Sequence, residues 1–236
     1  MAVTMRDDGQ CMVKVMSSSA IKASFLELAP GFEQASGHTV VARWIPGVDL
    51  LQRIKDGEAS DLVIMQASAI DELIAAGRLE AGSRTDIAKS GVGVAVRAGA
   101  RKPDISSADA LKRALLAASS VAYSTGPSGV YLAQLIQRLG LDRQVLAKAR
   151  QVKGEPVGAV VARGEADIGF QQVSELLPVP GIDYIGPLPD EIQRVTVFSA
   201  ALHVGSQNKA TAKALVAYIT GSAAKAALIK QGMEPA

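Results

Sequence analysis

Hydrophobic and polar positions along the chain repeat with two different periods that alternate. Short apolar runs, including "MVKVMS" (12–17) and "DLVIM" (61–65), predict β-strands, and the continuous second run is typical of a strand buried on both faces. Between the runs, apolar residues three and four positions apart predict helices, as in "VDLLQRIKDG" (48–57). Strands that alternate with helices in this way are typical of an α/β fold with open, mostly parallel sheets.

Two further expectations come from interruptions of this pattern. Residues 20–37 have helical spacing, but Pro30 lacks the amide hydrogen that a helix interior uses, so Pro30 and Gly31 are expected to interrupt the helix. Near residue 90 the alternation starts again with the strand "GVGVAVRAG" (91–99). The restart indicates a second α/β segment.

Composition limits the classes of partner and cofactor. With 236 residues, 48% of them apolar, the chain can bury the core of one large domain or two small ones. Its 25 basic and 23 acidic residues are scattered, so no basic stripe indicates a nucleic-acid partner. Cys11 is the only cysteine, which rules out an internal disulfide, and no metal or other cofactor is expected. The apolar runs are far shorter than the roughly 20 residues of a membrane span.

The first residues do not have the pattern of an export signal. Asp7 and Asp8 stand where a secretory signal would have its apolar run. We therefore expect either a cytoplasmic protein or a form of the chain from which the leader is missing.

Three loops that follow predicted strands or precede predicted helices are rich in small residues and hydroxyls. They are "SSS" (17–19), "STGPSG" (124–129) and "GEPVGAVV" (154–161). In an open α/β sheet, ligands bind outside the carboxyl ends of the strands, near helix N-termini whose amides are unpaired. Backbone amides and serine hydroxyls in these loops can therefore bind an anion without a charged side chain. The structural alternative is that Ser18 and Ser128 are ordinary N-caps.

The sequence carries none of the common catalytic signatures. It has no Walker loop, no HExxH metal motif, no nucleophile elbow and no cysteine pair. The residues alone therefore favour a protein with no chemistry of its own.

Several long stretches resemble one known family. "VMSSSAIKASFLELAPGFEQASGHTVVARW" (15–44), "GEADIGF" (164–170) and "GSAAKAALIKQGMEP" (221–235) are similar to the molybdate-binding periplasmic proteins of ABC transporters, and the resemblance extends from about residue 12 to the end. It implies the two-lobed type II binding-protein fold, with a ligand trapped in the interlobe cleft by hinge closure. The bounds that it implies are 1–92 plus 198–236 for lobe 1, 93–197 for lobe 2, and 90–95 and 194–200 for the hinges.

The resemblance also implies partners and a location. It predicts a monomer that binds a small anion, either molybdate or tungstate or an organic acid, and that delivers it to an ABC permease. By this resemblance the protein is periplasmic, although no signal peptide is visible.

Some of the family's ligand residues have counterparts here. The first-strand serine corresponds to Ser17 or Ser18, the mid-chain loop supplies hydroxyls, and the amide-bearing helix start corresponds to Pro156 and Val157. Two departures weaken the match to molybdate. "WIPG" (44–47) replaces a Gly-Ser-Ser-Gly turn, which removes a hydroxyl and an amide donor, and the family's tyrosine corresponds to Gln172.

A larger organic anion suits the altered loops. Trp44 and Tyr131 could flank a carbon skeleton while Gln171 or Gln172 donates to a carboxylate, although Trp44 has core packing as an alternative role. The full set of candidate ligand-binding residues is Ser17, Ser18, Trp44, Gly47, Ser124, Thr125, Ser128, Tyr131, Pro156, Val157, Gln171 and Gln172.

Two other functions stay open. Some relatives of the molybdate binders act on small tricarboxylates, among them aconitate isomerase, and an isomerase would need a base beside the acidic carbon. Glu155 and His203 are the candidates for that base, with a helix-start charge and a hinge-strand residue as their structural alternatives. A cytoplasmic ligand sensor is the other option, but the short N-terminus leaves no room for a DNA-binding helix-turn-helix.

Overall fold

A computed structural model describes residues 10–236, so the expectation about Asp7 and Asp8 lies outside the described residues. The chain forms two compact units. The first holds the described residues up to Lys89 together with Val197–Ala236, and the second is Ser90–Thr196.

The first unit is built on a six-stranded mixed sheet. The order of its strands is β11-β4-β10-β3-β1-β2, in which β1, β2 and β3 are parallel and β10 is antiparallel to β3. The strands are β1 (Met12–Ser17), β2 (Thr39–Trp44), β3 (Leu62–Gln66), β4 (Thr85–Ser90), β10 (Thr196–Leu202) and β11 (Glu234–Pro235). The helices are α1 (Lys22–Ser36), α2 (Gly47–Lys55), α3 (Ala67–Ala75), α9 (Lys209–Thr220) and α10 (Ser222–Lys230).

The core of the first unit lies on both faces of its sheet. Leu62 and Ile64 of β3 belong to the apolar cluster that includes α1, α9 and α10, whereas Val63 and Met65 belong to the cluster of α2 and α3. Successive side chains of a strand point to opposite faces, so a strand covered on both sides has to be apolar throughout. This confirms the interpretation of "DLVIM" as a strand buried on both faces.

The expected break of the first helix is wrong, because α1 continues through Pro30. Its apolar face stays buried on both sides of the proline, at Phe25, Leu28 and Phe32, and this packing outweighs the missing hydrogen bond. Gly31 allows a close contact between α1 and α9. A Cβ at Gly31 would lie 2.3 Å from the hydroxyl oxygen of Tyr218, so the absent side chain makes room for the tyrosine.

The second unit has a five-stranded sheet with the order β7-β6-β8-β5-β9. β6 is parallel to both β7 and β8, whereas β5 is antiparallel to β8 and β9. The strands are β5 (Val92–Arg97), β6 (Val121–Ser124), β7 (Ala149–Val152), β8 (Ile168–Gln172) and β9 (Ile182–Pro187). The helices are α4 (Ala108–Ala117), α5 (Pro127–Arg138), α6 (Asp142–Val145), α7 (Val157–Ala162) and α8 (Val173–Leu176).

The sequence pattern did not predict several short elements, including β4, β7 and α6. β7 has only one buried residue, Val152, and α6 is a single turn of four residues. Such elements lack the repeated apolar positions on which a periodicity argument depends.

Two properties of the described residues bear on function. Residues 10–236 contain no single helix that is long and apolar enough to cross a membrane, while α9 and α10, which bend by 61° at their junction, reach that length and composition only as a pair. The same residues contain no group of three or more metal-binding side chains.

Candidate functional site

The carboxyl ends of three parallel strands meet at one edge of the first unit's sheet. β1, β2 and β3 end at Ser17, Trp44 and Gln66, and each is followed by a helical segment. The N-cap residues of the segments after these strands are Ser18, Pro46 and Gln66, and none of the three caps its helix through a side chain within residues 10–236. Amides in the first turns and the positive ends of the helix dipoles therefore favour an anion at this edge.

The Ser18 hydroxyl is the candidate ligand-binding group at this edge. The residue is only 7% exposed, yet its Oγ finds no hydrogen-bond partner among the described residues. Its amide donates to the carbonyl of Ile64 at 2.9 Å, which fixes Ser18 beside β3. A buried hydroxyl without a partner costs about 1–3 kcal/mol. A ligand that accepts this hydrogen bond would remove that penalty.

Ser17 is committed to the protein itself. It is fully buried, and its Oγ donates to the carbonyl of Ser18 at 2.9 Å. The sequence could not decide between Ser17 and Ser18, whereas in the structure only the Ser17 hydroxyl has a hydrogen-bond partner among the described residues.

Gln66 is a polar residue of this edge that sequence analysis missed. Its Oε1 is buried and finds no partner among the described residues. The same oxygen lies 3.4 Å from the position that a Cβ on Gly47 would occupy, so the amide lies against the start of α2. The only sequence signal was a glutamine that ends a buried strand and precedes a helix.

Trp44 belongs mainly to the core. Its ring meets Phe25 edge to face, with 5.5 Å between the centroids, and it packs against the cluster beneath α1. Gly47, the first residue of α2, lies at the carboxyl edge.

The second unit has a similar edge, at which β6 turns into α5. The hydroxyls of Ser124 and Ser128 are 3.2 Å apart, and the amide of Gly126 donates to the Ser124 Oγ at 3.3 Å. A Cβ at Gly129 would lie 1.7 Å from the carbonyl oxygen of Ser124, so the helix packs directly on the strand end. Thr125 is partly exposed in the same turn. The structure thus brings two of the predicted hydroxyls, those of Ser124 and Ser128, together, with Thr125 in the same turn.

Two hydrogen bonds hold the Tyr131 side chain away from its predicted role, which was to flank the carbon skeleton of a ligand. Its hydroxyl donates to the carbonyl of Ile192 at 2.7 Å and accepts from Arg138 at 2.9 Å. The Arg138 guanidinium also lies over the tyrosine ring, 5.3 Å from its centroid. These contacts indicate a structural role.

Gln171 joins two neighbouring elements of the second unit. Its Oε1 accepts from the amide of Val157 at 2.8 Å, so this amide at the start of α7 is already occupied. Pro156 is exposed and, as a proline, has no amide hydrogen to offer.

Gln172 connects the chain segment at which the second unit begins with the segment at which it ends. With its amide oriented to satisfy both of its polar atoms, the nitrogen donates to the carbonyls of Ser90 and Gly91 at 3.0 and 3.1 Å, and the oxygen accepts from the Thr196 hydroxyl at 3.1 Å. The side chain is therefore fully engaged by the chain segments that enter and leave this unit.

Glu175 is a titratable group that sequence analysis also missed. It is the third residue of α8, and its carboxylate accepts from the backbone amide of Gln172, the N-cap, as in a capping box. Burial raises the pKa of the Glu175 carboxyl to about 7, although hydrogen bonds from the Gln171 side chain and the Gln172 backbone favour the charged form. The group can exchange a proton near neutral pH.

The two predicted bases have other surroundings. Glu155 is exposed and binds Arg163 at 2.9 and 3.1 Å, and these hydrogen bonds hold the pKa of the Glu155 carboxyl below its usual range. His203 follows β10, whose Leu202 pairs with Leu62 at the amino end of β3, so it lies at the opposite edge from Ser18. The geometry therefore favours neither residue as a base for a ligand bound at the carboxyl edges.

Comparison with known proteins identifies relatives. The model of a protein family described as "Bacterial extracellular solute-binding protein" matches residues 13–234. A protein from Pseudomonas sp named aconitate isomerase is 44% identical over 227 residues, which cover 94% of this chain and 87% of that protein.

Solved structures with the same fold include binding proteins for inorganic anions. The periplasmic molybdate-binding protein of Azotobacter vinelandii has a TM-score of 0.79 at 21% identity, over 94% of this chain and 98% of that one. The sulfate-binding protein SubI of Mycobacterium tuberculosis has a TM-score of 0.75 at 17% identity, over 95% and 86%. These likenesses confirm the two-lobed α/β binding-protein fold that the sequence resemblance predicted.

Proposed function

Since the chain belongs to the family of bacterial extracellular solute-binding proteins, we propose that its solute is a small polycarboxylate, with aconitate as the first candidate. The observation that carries this proposal is the buried, unpartnered hydroxyl of Ser18 at an edge where three helical segments begin without side-chain caps. Such an edge offers neutral donors to an anion.

The donor set matches molybdate poorly. Pro46 offers no amide where the molybdate binders have a donor-rich turn, and Gln172 is engaged at the position of their tyrosine. A dianion such as molybdate exposes acceptor oxygens on all sides, and each missing donor costs about 1–3 kcal/mol. The 44% identity to a protein named aconitate isomerase supports a polycarboxylate instead.

A thermal-shift and calorimetric screen tests the ligand class. Molybdate, tungstate, sulfate, citrate, cis-aconitate and trans-aconitate are added separately, since a ligand at a hundred times its dissociation constant stabilises a fold by about 2.7 kcal/mol. We expect stabilisation by a polycarboxylate. If molybdate and tungstate alone shift the melting temperature, the proposal is wrong.

A second candidate function is the interconversion of the aconitate isomers, which the name of the 44% identical relative favours. A base would take a proton from the methylene carbon, the double bond would shift by one carbon, and a proton would return to the former alkene carbon. The product is again aconitate, in either geometry, so no co-reactant is needed. Glu175 is the candidate base, because α8 directly follows the carboxyl end of β8, the parallel neighbour of β6, and because its pKa of about 7 lets it take and return a proton near neutral pH.

Proton NMR in heavy water separates catalysis from binding. An isomerase would convert pure cis-aconitate into a mixture of isomers and would exchange its methylene protons for deuterium. Binding of aconitate without either change would indicate a solute-binding protein that has no isomerase activity. For that case we propose a periplasmic location and delivery of the ligand to an ABC permease, which the family description supports.

A further inference from the structure

We propose that Gln66 is a specificity-determining residue that, with Ser18, binds one carboxylate of the ligand. The inference rests on the proposed function and extends it to a residue that neither the sequence pattern nor the resemblance singled out. Gln66 has a partly exposed side chain with a buried carbonyl oxygen that finds no partner among the described residues.

The strand register brings Gln66 and Ser18 to the same edge. Ser17 pairs with Ile64 in the parallel ladder of β1 and β3, so Ser18 lies just beyond one strand end while Gln66 forms the end of its neighbour. Neighbouring strands are about 4.8 Å apart, which is within the reach of a glutamine side chain. Two unpartnered buried polar atoms, the Ser18 Oγ and the Gln66 Oε1, therefore belong to adjacent strand ends.

The amide lies beside the start of a helix. Gly47 begins α2, and the Gln66 Oε1 lies at a contact distance of 3.4 Å from the position that a Cβ on Gly47 would occupy. The N-cap of α2 is Pro46, which has no side-chain donor or acceptor. A carboxylate beside Gly47 would thus meet the first turn of α2 and the Gln66 amide together.

The chemistry of the amide explains how it would select a carboxylate. A carboxylate offers only acceptors, so Gln66 has to present its Nε2 to it. A half turn about the last side-chain torsion exchanges nitrogen and oxygen without moving the backbone, and it breaks no bond of the Oε1 because that atom has no partner. The amide is therefore poised to donate when the ligand arrives.

The test separates ligand binding from a structural role. Gln66→Met keeps the length of the side chain and removes its polarity. We expect the melting temperature of the ligand-free variant to stay the same or rise, because no hydrogen bond of the buried oxygen is lost. The affinity for aconitate should fall about ten- to hundredfold, as expected for a hydrogen bond to a charged group.

Two further variants sharpen the test. Gln66→Glu places a negative charge beside the ligand, so its loss of affinity should exceed that of Gln66→Met and should diminish as the pH is lowered towards the pKa of carboxyl groups. Gln52→Met is the matched control, because Gln52 lies exposed on α2 and bonds to Asp56 at 2.8 Å. This control should bind aconitate like the wild type.

The outcomes distinguish the two proposals. If the wild type binds no polycarboxylate, the proposed function is wrong. If the wild type binds aconitate and Gln66→Met binds it equally well, only the role of Gln66 is refuted. Should Gln66→Met fail to fold, Gln66→Leu replaces it as the test, because it also removes the polar atoms, and an affinity for aconitate unchanged from the wild type would refute the role of Gln66.

Discussion

At the scale of single residues, the adjacent serines at the end of β1 have different surroundings. The Ser17 hydroxyl donates to a backbone carbonyl, whereas the Ser18 hydroxyl is buried without a partner among the described residues. We therefore expect the two neighbours to have separable roles, Ser17 in stability and Ser18 in binding.

We expect Ser18→Ala to weaken the binding of aconitate by about tenfold or more, because one donor to a charged ligand is lost. The melting temperature of the ligand-free protein should not fall, since the hydroxyl makes no hydrogen bond in that state. Ser17→Ala is the control, and it should lower the melting temperature more than Ser18→Ala does. If calorimetry showed that Ser17→Ala impairs binding and Ser18→Ala does not, Ser17 and not Ser18 would be the ligand-binding residue.

Glu175 makes stability depend on pH in a defined direction. Its pKa rises from the ordinary 4.5 to about 7 on folding, so the folded protein holds this proton more tightly than the unfolded chain. The stabilising effect is complete below pH 4.5 and is lost as the pH rises through 7. Glu175→Gln keeps an acceptor for the Gln172 amide and removes the titration.

We therefore expect Glu175→Gln to melt at a higher temperature than the wild type at pH 8, with a smaller difference at pH 5. If Glu175 is also the base of an isomerase, the same variant should bind aconitate but no longer interconvert its isomers. In the wild type that activity should fall as the pH drops below about 7. Identical pH profiles of stability for the two proteins would contradict the raised pKa.

The sequence could not have identified Gln66 or Glu175 as candidate site residues. A glutamine at a strand end and a glutamate in the first turn of a helix are common, and nothing in their neighbours along the chain reveals burial. Whether a polar atom finds a partner depends on contacts between distant segments, as with the Gln66 oxygen beside Gly47. By contrast, the hydroxyl-rich turn at 124–129 was predictable because its residues are adjacent.

At the scale of elements, the turn between β6 and α5 depends on a close approach of helix and strand. A Cβ at Gly129 would lie 1.7 Å from the carbonyl oxygen of Ser124, and this atom belongs to the backbone and cannot move aside without distorting the turn. Gly126, three residues earlier, has more room, because its Cβ would lie 3.6 Å from the Ser124 Oγ.

We expect Gly129→Ala to lower the free energy of unfolding by about 1–3 kcal/mol, the usual range for an overpacked site, and to weaken anion binding at the same turn. Gly126→Ala is the matched control, since its backbone has an ordinary extended conformation. It should leave stability nearly unchanged in urea titrations. Equal stability of both variants would show that the turn can relax.

The elements also show where the periodicity of apolar residues predicts helices and strands correctly and where it does not. The long strands and helices with repeated apolar positions, such as β3 and α5, were predicted close to their observed bounds. The helix break expected at Pro30 is absent, because the tertiary packing of Phe25, Leu28 and Phe32 keeps the helix together across one missing hydrogen bond. Local preference is outweighed wherever a long apolar face is available to bury.

At the scale of the whole molecule, the prediction that both units contribute to one ligand stays a prediction. It requires that Ser128→Ala in the second unit and Ser18→Ala in the first weaken binding of the same polycarboxylate. We expect calorimetry to give one ligand per chain for the wild type and reduced affinity for both variants. If Ser128→Ala leaves binding intact, the turn at 124–129 is not part of the site.

The sheet order of the first unit has a consequence for synthesis on the ribosome. β10 lies between β4 and β3, so the middle of this sheet is filled by a strand that is translated after the entire second unit. The second unit is one continuous segment and can fold as soon as it emerges, whereas β3 and β4 must wait for their shared neighbour with open hydrogen-bonding edges. The part of the protein that comes first along the chain is thus the last to be completed, and until β10 arrives its unpaired strand edges are open to wrong pairing.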